Sequence, residues 1–234
     1  MRSLTQADFL ALWETGRSLH PLDQGVLAVQ TAFPSERMNV ADWPLGRRNR
    51  ALAELRCASF GAPLRGWTAC RRCTEQLEFQ IDSRSLAEGE APECDARVTV
   101  NGRSFRLPTS RDLAAVVHER DSEAAARRLL RQCCADEELT GHNWSEDEME
   151  AVGEHMSAAD PLAEILLSFD CPSCGVHFED SLDLPSFLWA EIEGRAKRAL
   201  MEVHLLASAY GWGEEEILSL SPARRAFYLE MVGS

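Results

Sequence analysis

Apolar residues recur at intervals of three and four along the first sixty residues, which is the spacing of one face of an α-helix. The pattern predicts a short first helix around Phe9 and a second helix over His20 to Phe33. It predicts a third helix that Pro44 opens and that Gly61 ends. The N-terminal segment is therefore predicted to be helical.

The strongest helical pattern follows Pro185, where apolar residues step by 4, 4, 3, 4, 3 and 4 positions until Gly211. These residues are Leu188, Ile192, Ala196, Ala199, Val203, Leu206 and Tyr210. We expect the stripe to pack mainly in the core, with a seam for another protein as the alternative. Three ion pairs at i,i+4 spacing are predicted beside it, namely Glu191/Arg195, Glu193/Lys197 and Arg198/Glu202.

A last helix is predicted to begin at Pro222, and it carries apolar residues close to the end of the sequence. Phe227, Tyr228 and Met231 are the candidate partner-binding residues.

The middle of the sequence combines a hairpin with further helices. Asn101-Gly102 lies between two alternating strands and favours a type I′ turn. Thr109 and Asp112 have the spacing of a capping box, and Ser145 is a predicted helix N-cap. A helix is also predicted to start at Asp160-Pro161 and to run to Leu167.

Charge is unevenly distributed along the sequence. The net charge is −14, and the stretch between Arg131 and Arg195 holds sixteen acidic residues and no Lys or Arg. Nucleic acids are bound through Lys and Arg, so we expect no nucleic-acid ligand and favour a basic protein surface that binds residues 136–154. Arg47, Arg48 and Arg50 are interpreted as a solvated face, with a binding patch as the alternative.

The composition, with 45% hydrophobic and 26% charged residues, is that of a globular protein and excludes disordered and collagen-like classes. No apolar run is long enough to span a bilayer. We expect a soluble, cytoplasmic protein.

Four of the eight cysteines form two Cys-x-x-Cys pairs, Cys70 with Cys73 and Cys171 with Cys174. Both surrounding segments read Cys-x-x-Cys-x-x-x-apolar-Glu-x-x-aliphatic-Asp at an offset of 101 residues. This similarity indicates two halves of one ribbon, each a knuckle followed by a strand. Four thiolates in a tetrahedral shell suit structural Zn²⁺, the predicted cofactor.

Alternatives to this metal site are a redox dithiol and unrelated core thiols, and His177 could replace one thiolate. Cys57 is interpreted as a small core residue on a helix and Cys94 as a loop residue. Cys133 and Cys134 are adjacent at a helix end and cannot readily bind one metal together. The sequence contains no Gly-rich phosphate loop, His-Glu-x-x-His or Gly-x-Ser-x-Gly motif, so we expect no enzymatic activity and name no catalytic residue.

Several short strings resemble a known family. They are a Leu-x-x-Trp-Glu run leading to His20-Pro21-Leu22-Asp23, then Pro44-Leu45-Gly46-Arg47-Arg48-Asn49, the first Cys-x-x-Cys with Leu-Glu-Phe, Arg106-Leu107-Pro108-Thr109-Ser110-Arg111-Asp112-Leu113, the second Cys pair with Gly175, residues 210–218 and residues 221–225. The set resembles T4-family baseplate hub assembly chaperones of contractile-tail phages and phage-tail-like contractile injection systems. The resemblance covers most of the chain, although Arg71, Arg72 and Thr74 depart from the Cys-Pro-x-Cys-Gly form.

The resemblance implies a non-enzymatic assembly factor or structural component of a baseplate, with hub or spike proteins as partners. The alternative is a zinc-ribbon nucleic-acid-binding or transcription accessory protein, and a metal-dependent enzyme is a more distant one. The expected fold is α+β and mainly helical, built around a two-knuckle zinc-ribbon-like β module. Its expected segments are N-terminal helices (1–64), first knuckle and hairpin (65–108), helical insertion (109–168), second knuckle (169–184) and C-terminal helices (185–234).

Overall fold

The computed structural model describes residues 2–33, 40–135, 142 and 144–233. Its helices are α1 (Gln6–Gly16), α2 (Pro21–Ala32), α3 (Leu45–Phe60), α4 (Arg84–Ala87), α5 (Ser110–Val116), α6 (Ser122–Cys133), α7 (Glu146–Ala159), α8 (Leu184–Tyr210), α9 (Glu214–Ser219) and α10 (Pro222–Val232), with a 3₁₀ turn at Val40–Asp42. Its strands are β1 (Pro63–Ala69), β2 (Gln76–Asp82), β3 (Arg97–Val100), β4 (Arg103–Arg106), β5 (Leu166–Asp170) and β6 (His177–Ser181). The fold is α+β and mainly helical, as the sequence predicts.

The main core joins helices from both ends of the chain. α1, α2 and α3 pack against α8, and the apolar residues predicted on these helices fill the space between them. The shared core includes Val29, Leu52, Leu55, Leu188 and Ile192, none of them more than 1% exposed. The core interpretation of the α8 stripe is confirmed for Leu188, Ile192, Ala196, Ala199 and Leu206, which are buried, whereas Tyr210 at its end is 38% exposed.

Two antiparallel hairpins, β1-β2 and β5-β6, carry the Cys pairs at their turns. Each knuckle is therefore preceded as well as followed by a strand. The predicted helix from Asp160 to Leu167 is wrong. Asp160 is the C-cap of α7, and Leu167 lies in β5 opposite Asp180. Every second residue of β5 faces inward, which is the repeat of a strand rather than of a helix.

The chain between β2 and β5 forms a second, smaller core. β3 and β4 are joined by Asn101 and Gly102, whose φ angles of 51° and 77° confirm the predicted turn. Phe105 and Trp144, at most 1% exposed, pack together with ring centroids 5.6 Å apart. The predicted capping box of Thr109 and Asp112 and the cap at Ser145 are also confirmed.

Several charged side chains are placed differently from the sequence-based expectation. The solvated-face interpretation is wrong for Arg48, which is 4% exposed and donates hydrogen bonds to Asn49 Oδ1 and Ser110 Oγ. Ser110 lies within reach of the guanidinium because Pro44, at the start of α3, forms an antiparallel bridge with Thr109. Burial lowers the pKa of Arg48 to about 10, although Asp183 and Asp160 oppose the shift.

The ion pairs of α8 are also partly different. Glu193 and Lys197 pair at 2.8 Å as predicted. Glu191 instead pairs with Arg56 of α3 and Glu202 with Arg225 of α10, because both partner helices pack on α8 and bring a more buried arginine to each carboxylate. In the ranges described above, no helix combines the length and hydrophobicity needed to cross a bilayer.

Candidate metal centre

The four cysteines of the two Cys-x-x-Cys pairs meet at one point between the hairpins. The Sγ atoms of Cys70 and Cys174 are 3.7 Å apart, and those of Cys73 and Cys171 are 3.5 Å apart. All four Sγ atoms lie within 4.8 Å of one another. Cys70 and Cys171 are buried, whereas Cys73 is exposed and Cys174 is half-buried, so the cluster lies at the edge of the β module.

Both knuckles have the same backbone hydrogen bonds. Cys70 N–H donates to the carbonyl of Glu75 and Thr74 N–H to that of Cys70, each at 2.9 Å. In the second knuckle, Cys171 N–H donates to Val176 and Gly175 N–H to Cys171, also at 2.9 Å. The first turn is therefore well formed although its sequence departs from the Cys-Pro-x-Cys-Gly form.

The inward faces of the hairpins hold the two knuckles together. Phe79 of β2 and Phe169 of β5 have ring centroids 5.6 Å apart, and Phe169 stacks on Phe178 at 5.5 Å. At the end nearer the thiols, the hydroxyl of Thr68 donates to Asp180 Oδ2 at 2.6 Å. These contacts place Cys70 and Cys171, which are distant in sequence, in one cluster.

The donor set and its dimensions are compatible with a metal site. A tetrahedral ion with metal–sulfur bonds of about 2.3 Å requires sulfur atoms about 3.8 Å apart. The two short Sγ separations, 3.5 and 3.7 Å, are close to this value before any ligand adjusts its rotamer. A divalent cation would also offset the repulsion among four thiolates.

The thiols differ in acidity. Burial opposes ionisation of Cys70, but backbone N–H groups of Cys73 and Arg72 stabilise its thiolate and lower its pKa to about 6. The backbone of Glu75 favours the thiolate of Cys73, but the sulfur of Cys171 and burial outweigh it and raise the pKa of Cys73 to about 12. A bound cation would favour the thiolate form of both cysteines, because a metal binds the deprotonated sulfur.

The remaining cysteines and His177 lie outside this cluster. His177 is exposed, and its Nδ1 lies 3.0 Å from Asp170 Oδ1. Cys133 is buried, and burial raises the pKa of its thiol to about 12. Cys94 is exposed in the loop before β3.

The candidate partner residues of α10 divide into two kinds. Phe227 is 61% and Met231 46% exposed. Tyr228 is half-buried instead and makes edge contacts with the rings of Tyr210 and Trp212, at 5.7 and 4.9 Å. Phe227 and Met231 are therefore open to a partner, whereas Tyr228 contributes to packing at the end of α8.

One exposed aromatic residue was not predicted from the sequence. Trp67 of β1 is 66% exposed and points to the same outer face as Arg65. Leu64, Gly66 and Thr68 face inward on β1. Recognising β1 as a strand from the sequence would therefore have predicted that Trp67 faces outward.

The exposed acidic residues of α7 include Glu146, Asp147, Glu150 and Glu154. Asp136, Glu137 and Glu138, the other part of the predicted acidic surface, lie outside the described residues.

Comparisons with protein-family models, with curated proteins and with solved structures found no match to this chain.

Proposed function

We propose that the chain is a non-enzymatic assembly factor or structural component of the baseplate hub region in a contractile phage tail or contractile injection system. The observation that carries this proposal is the meeting of Cys70, Cys73, Cys171 and Cys174 at one centre. A single ion there would join a hairpin that follows the N-terminal helices to a hairpin that leads into α8. A chain joined in this way would present its helical surfaces at fixed angles, which binding within a larger assembly requires. The family resemblance supports a baseplate as that assembly.

We propose further that the ion is Zn²⁺ and that the two hairpins form a zinc-ribbon-like module. Four thiolates in a closed tetrahedral shell favour Zn²⁺ and leave no open coordination position for a substrate. The ion would therefore act in folding and rigidity rather than in a reaction.

Two surfaces are available for partners. Phe227 and Met231 provide two exposed apolar side chains four residues apart, on one face of α10. The exposed acids of α7 carry negative charge that a basic hub or spike surface would complement. Binding through the acids should weaken as salt rises, because exposed pairs are screened within about 8–10 Å at physiological ionic strength.

Deletion of the gene in its native host, followed by imaging of the particles, tests the function. We expect few or no complete contractile particles in the deletion strain, and recovery when the wild-type gene is supplied. Normal numbers of complete particles would overturn both the assembly-factor and the structural-component versions.

Complementation with variants then tests the α10 surface. A Phe227→Asp and Met231→Asp double variant should remain folded, because both side chains are exposed, and should fail to restore particles. Glu230→Gln is the matched control on the same helix and should restore them. Full complementation by the double variant would exclude α10 as the contact surface.

A second candidate function, nucleic-acid binding, is favoured by Trp67 and Arg65 on the outer face of β1 and by Arg71 and Arg72 in the first knuckle, which follows β1 in the sequence. An exposed aromatic beside cations can stack a base and contact a phosphate. Glu78 on β2 lies directly opposite Trp67 and reduces the positive charge there. A salt titration of single-stranded DNA binding, with Trp67→Ala as the comparison, distinguishes this function from the first.

A further inference from the structure

A cleft of about 280 Å³ lies where α1, α8 and α10 meet, on the side of the helical body formed by the two ends of the chain. Its apolar lining comes from Leu4, Phe9, Ala199 and Pro222. Its polar lining includes three arginines, Arg195, Arg198 and Arg225, and one carboxylate, Glu202. Pockets for drug-sized ligands measure about 300–1,000 Å³, so this cleft is suited to a small group or to one side chain.

The charges of the cleft are not balanced by the protein. Glu191 and Glu202 are one turn from Arg195 and Arg198, but they pair with Arg56 and Arg225 instead. Arg195 and Arg198 consequently have no ion-pair partner among the described residues. Three guanidinium groups thus share a cleft with a single carboxylate, in a protein whose net charge is −14.

Arg225 adds a second and independent indication of a ligand. It is only 6% exposed, its Nε donates to Glu202 at 2.9 Å and its Nη2 donates to Gln6 Oε1. Its Nη1 is buried and has no hydrogen-bond partner within the described part of the chain. A buried donor without an acceptor is unfavourable, and an incoming anion would offset that cost.

We infer that this cleft binds a carboxylate group that carries an apolar neighbour. The guanidinium groups of Arg195 and Arg198 would hold the two carboxylate oxygens, since the planar fork of arginine matches that geometry, while the apolar lining at Leu4 and Phe9 takes the neighbouring side chain. The C-terminal carboxylate of a protein partner whose last side chain is apolar presents this combination. The identity of the carrier as a baseplate protein rests on the proposed function, but the binding of the carboxylate does not.

The test is a titration of the full-length protein, followed by NMR chemical shifts, with three small probes. N-acetylleucine carries a carboxylate and an apolar side chain, N-acetylleucinamide lacks the charge, and inorganic phosphate lacks the apolar part. We expect saturable shifts at residues 195–202 and 222–228 with N-acetylleucine, with a Kd on the order of 1–10 mM because the probe is small. The amide and phosphate should bind at least tenfold more weakly.

The Arg195→Ala and Arg198→Ala double variant should bind N-acetylleucine at least tenfold more weakly and should fold normally, because both side chains are exposed. Lys197→Ala is the matched control, since Lys197 is a cation on the same helix that pairs with Glu193 and does not line the cleft. Absence of saturable shifts, equal binding of the amide, binding of phosphate as tight as that of N-acetylleucine, or an unaffected double variant would each overturn the inference. None of these results depends on particle assembly, so failure of the carboxylate-binding inference can be distinguished from failure of the proposed function.

Discussion

Thr74 and Gly175 occupy the same left-handed position in the two knuckles, with φ angles of 61° and 68°. Each follows the second cysteine of its pair, and each donates its backbone N–H to the first cysteine's carbonyl at 2.9 Å. The turn therefore imposes this backbone conformation whatever the residue. Glycine adopts it without strain, whereas a β-branched residue does not.

Reciprocal substitutions at these positions should have unequal effects on stability. Gly175→Thr should lower the free energy of unfolding by about 1–2 kcal/mol, because it adds a strained left-handed residue. Thr74→Gly should leave it unchanged or raise it by less than about 1 kcal/mol, since relief of strain is offset by the greater freedom of the unfolded chain. Urea unfolding of the zinc-loaded proteins at one fixed zinc concentration measures both, and equal losses in the two variants would contradict the account.

Gly46 should tolerate no side chain. Its N–H donates to Asp160 Oδ2 at 2.9 Å, and a Cβ at this position would lie 1.7 Å from Asp160 Oδ1. Gly46→Ala should therefore destabilise the protein by about 1–3 kcal/mol through overpacking. Gly153→Ala in α7 is the matched control, because nothing lies within 4 Å of its added Cβ, and there the higher helix propensity of alanine should stabilise by up to about 1 kcal/mol. Thermal unfolding compares the two, and identical shifts would refute the close approach.

Arg56 should be among the most important polar residues for stability. Its side chain is 3% exposed, makes two hydrogen bonds with Glu191, and donates to the carbonyls of Gly61 and Pro63 at 2.6 and 2.8 Å. Arg56→Met should cost about 3 kcal/mol, because it leaves a carboxylate and carbonyls without their donor. Arg50→Met removes an exposed i,i+4 pair on the same helix and should cost less than about 0.5 kcal/mol in the same denaturation assay.

The carboxylate of Asp112 should make stability depend on pH. Burial alone would raise its pKa, but hydrogen bonds from Arg106 at 2.6 and 2.7 Å and from Thr109 hold it below the ordinary value of 3.8. A depressed native pKa contributes stability that is present above pH 3.8 and is lost as pH falls through the native pKa. Asp112→Asn should cost about 2 kcal/mol at pH 7 and progressively less below pH 3.8.

Chemical denaturation at several pH values measures this difference. Asp82→Asn is the control, because Asp82 pairs with Arg84 at the surface and its loss should change stability little. A difference between wild type and Asp112→Asn that stays constant down to pH 2 would contradict the assignment of the ionised form.

The sequence was most informative where structure is local or repeated. The turn at Asn101-Gly102, the capping box of Thr109 and the Cys-x-x-Cys repeat each depend on residues close in sequence, so their patterns predicted the structure. The clustering of Cys70 with Cys171 could be predicted as well, because both segments carry the same spacing.

Other features depend on which distant segments pack together, and the sequence could not specify them. Asp160 was expected to begin a helix, but its carboxylate binds the backbone of Gly46, 114 residues away. Glu191 has Arg195 at i+4, but the packing of α3 on α8 brings Arg56 to Glu191, and these two residues form the ion pair instead. In each case a tertiary contact outweighed a local preference.

Removal of one thiol should release the metal and separate the hairpins. Cys171→Ser replaces a buried ligand, and we expect it to lose the metal, expose Phe79 and Phe169, and lower solubility. Cys94→Ser changes an exposed cysteine outside the cluster and should retain metal and solubility. Loss of metal from both variants, or from neither, would exclude the proposed ligand set.

The metal content and metal coordination of the gently purified wild-type protein test the central claim most directly. Metal analysis with X-ray absorption at the zinc edge should give one Zn²⁺ per chain, bound by four sulfur atoms at about 2.3 Å. Well under half an equivalent of zinc, or a shell that contains nitrogen or oxygen ligands, would contradict a closed centre formed by Cys70, Cys73, Cys171 and Cys174.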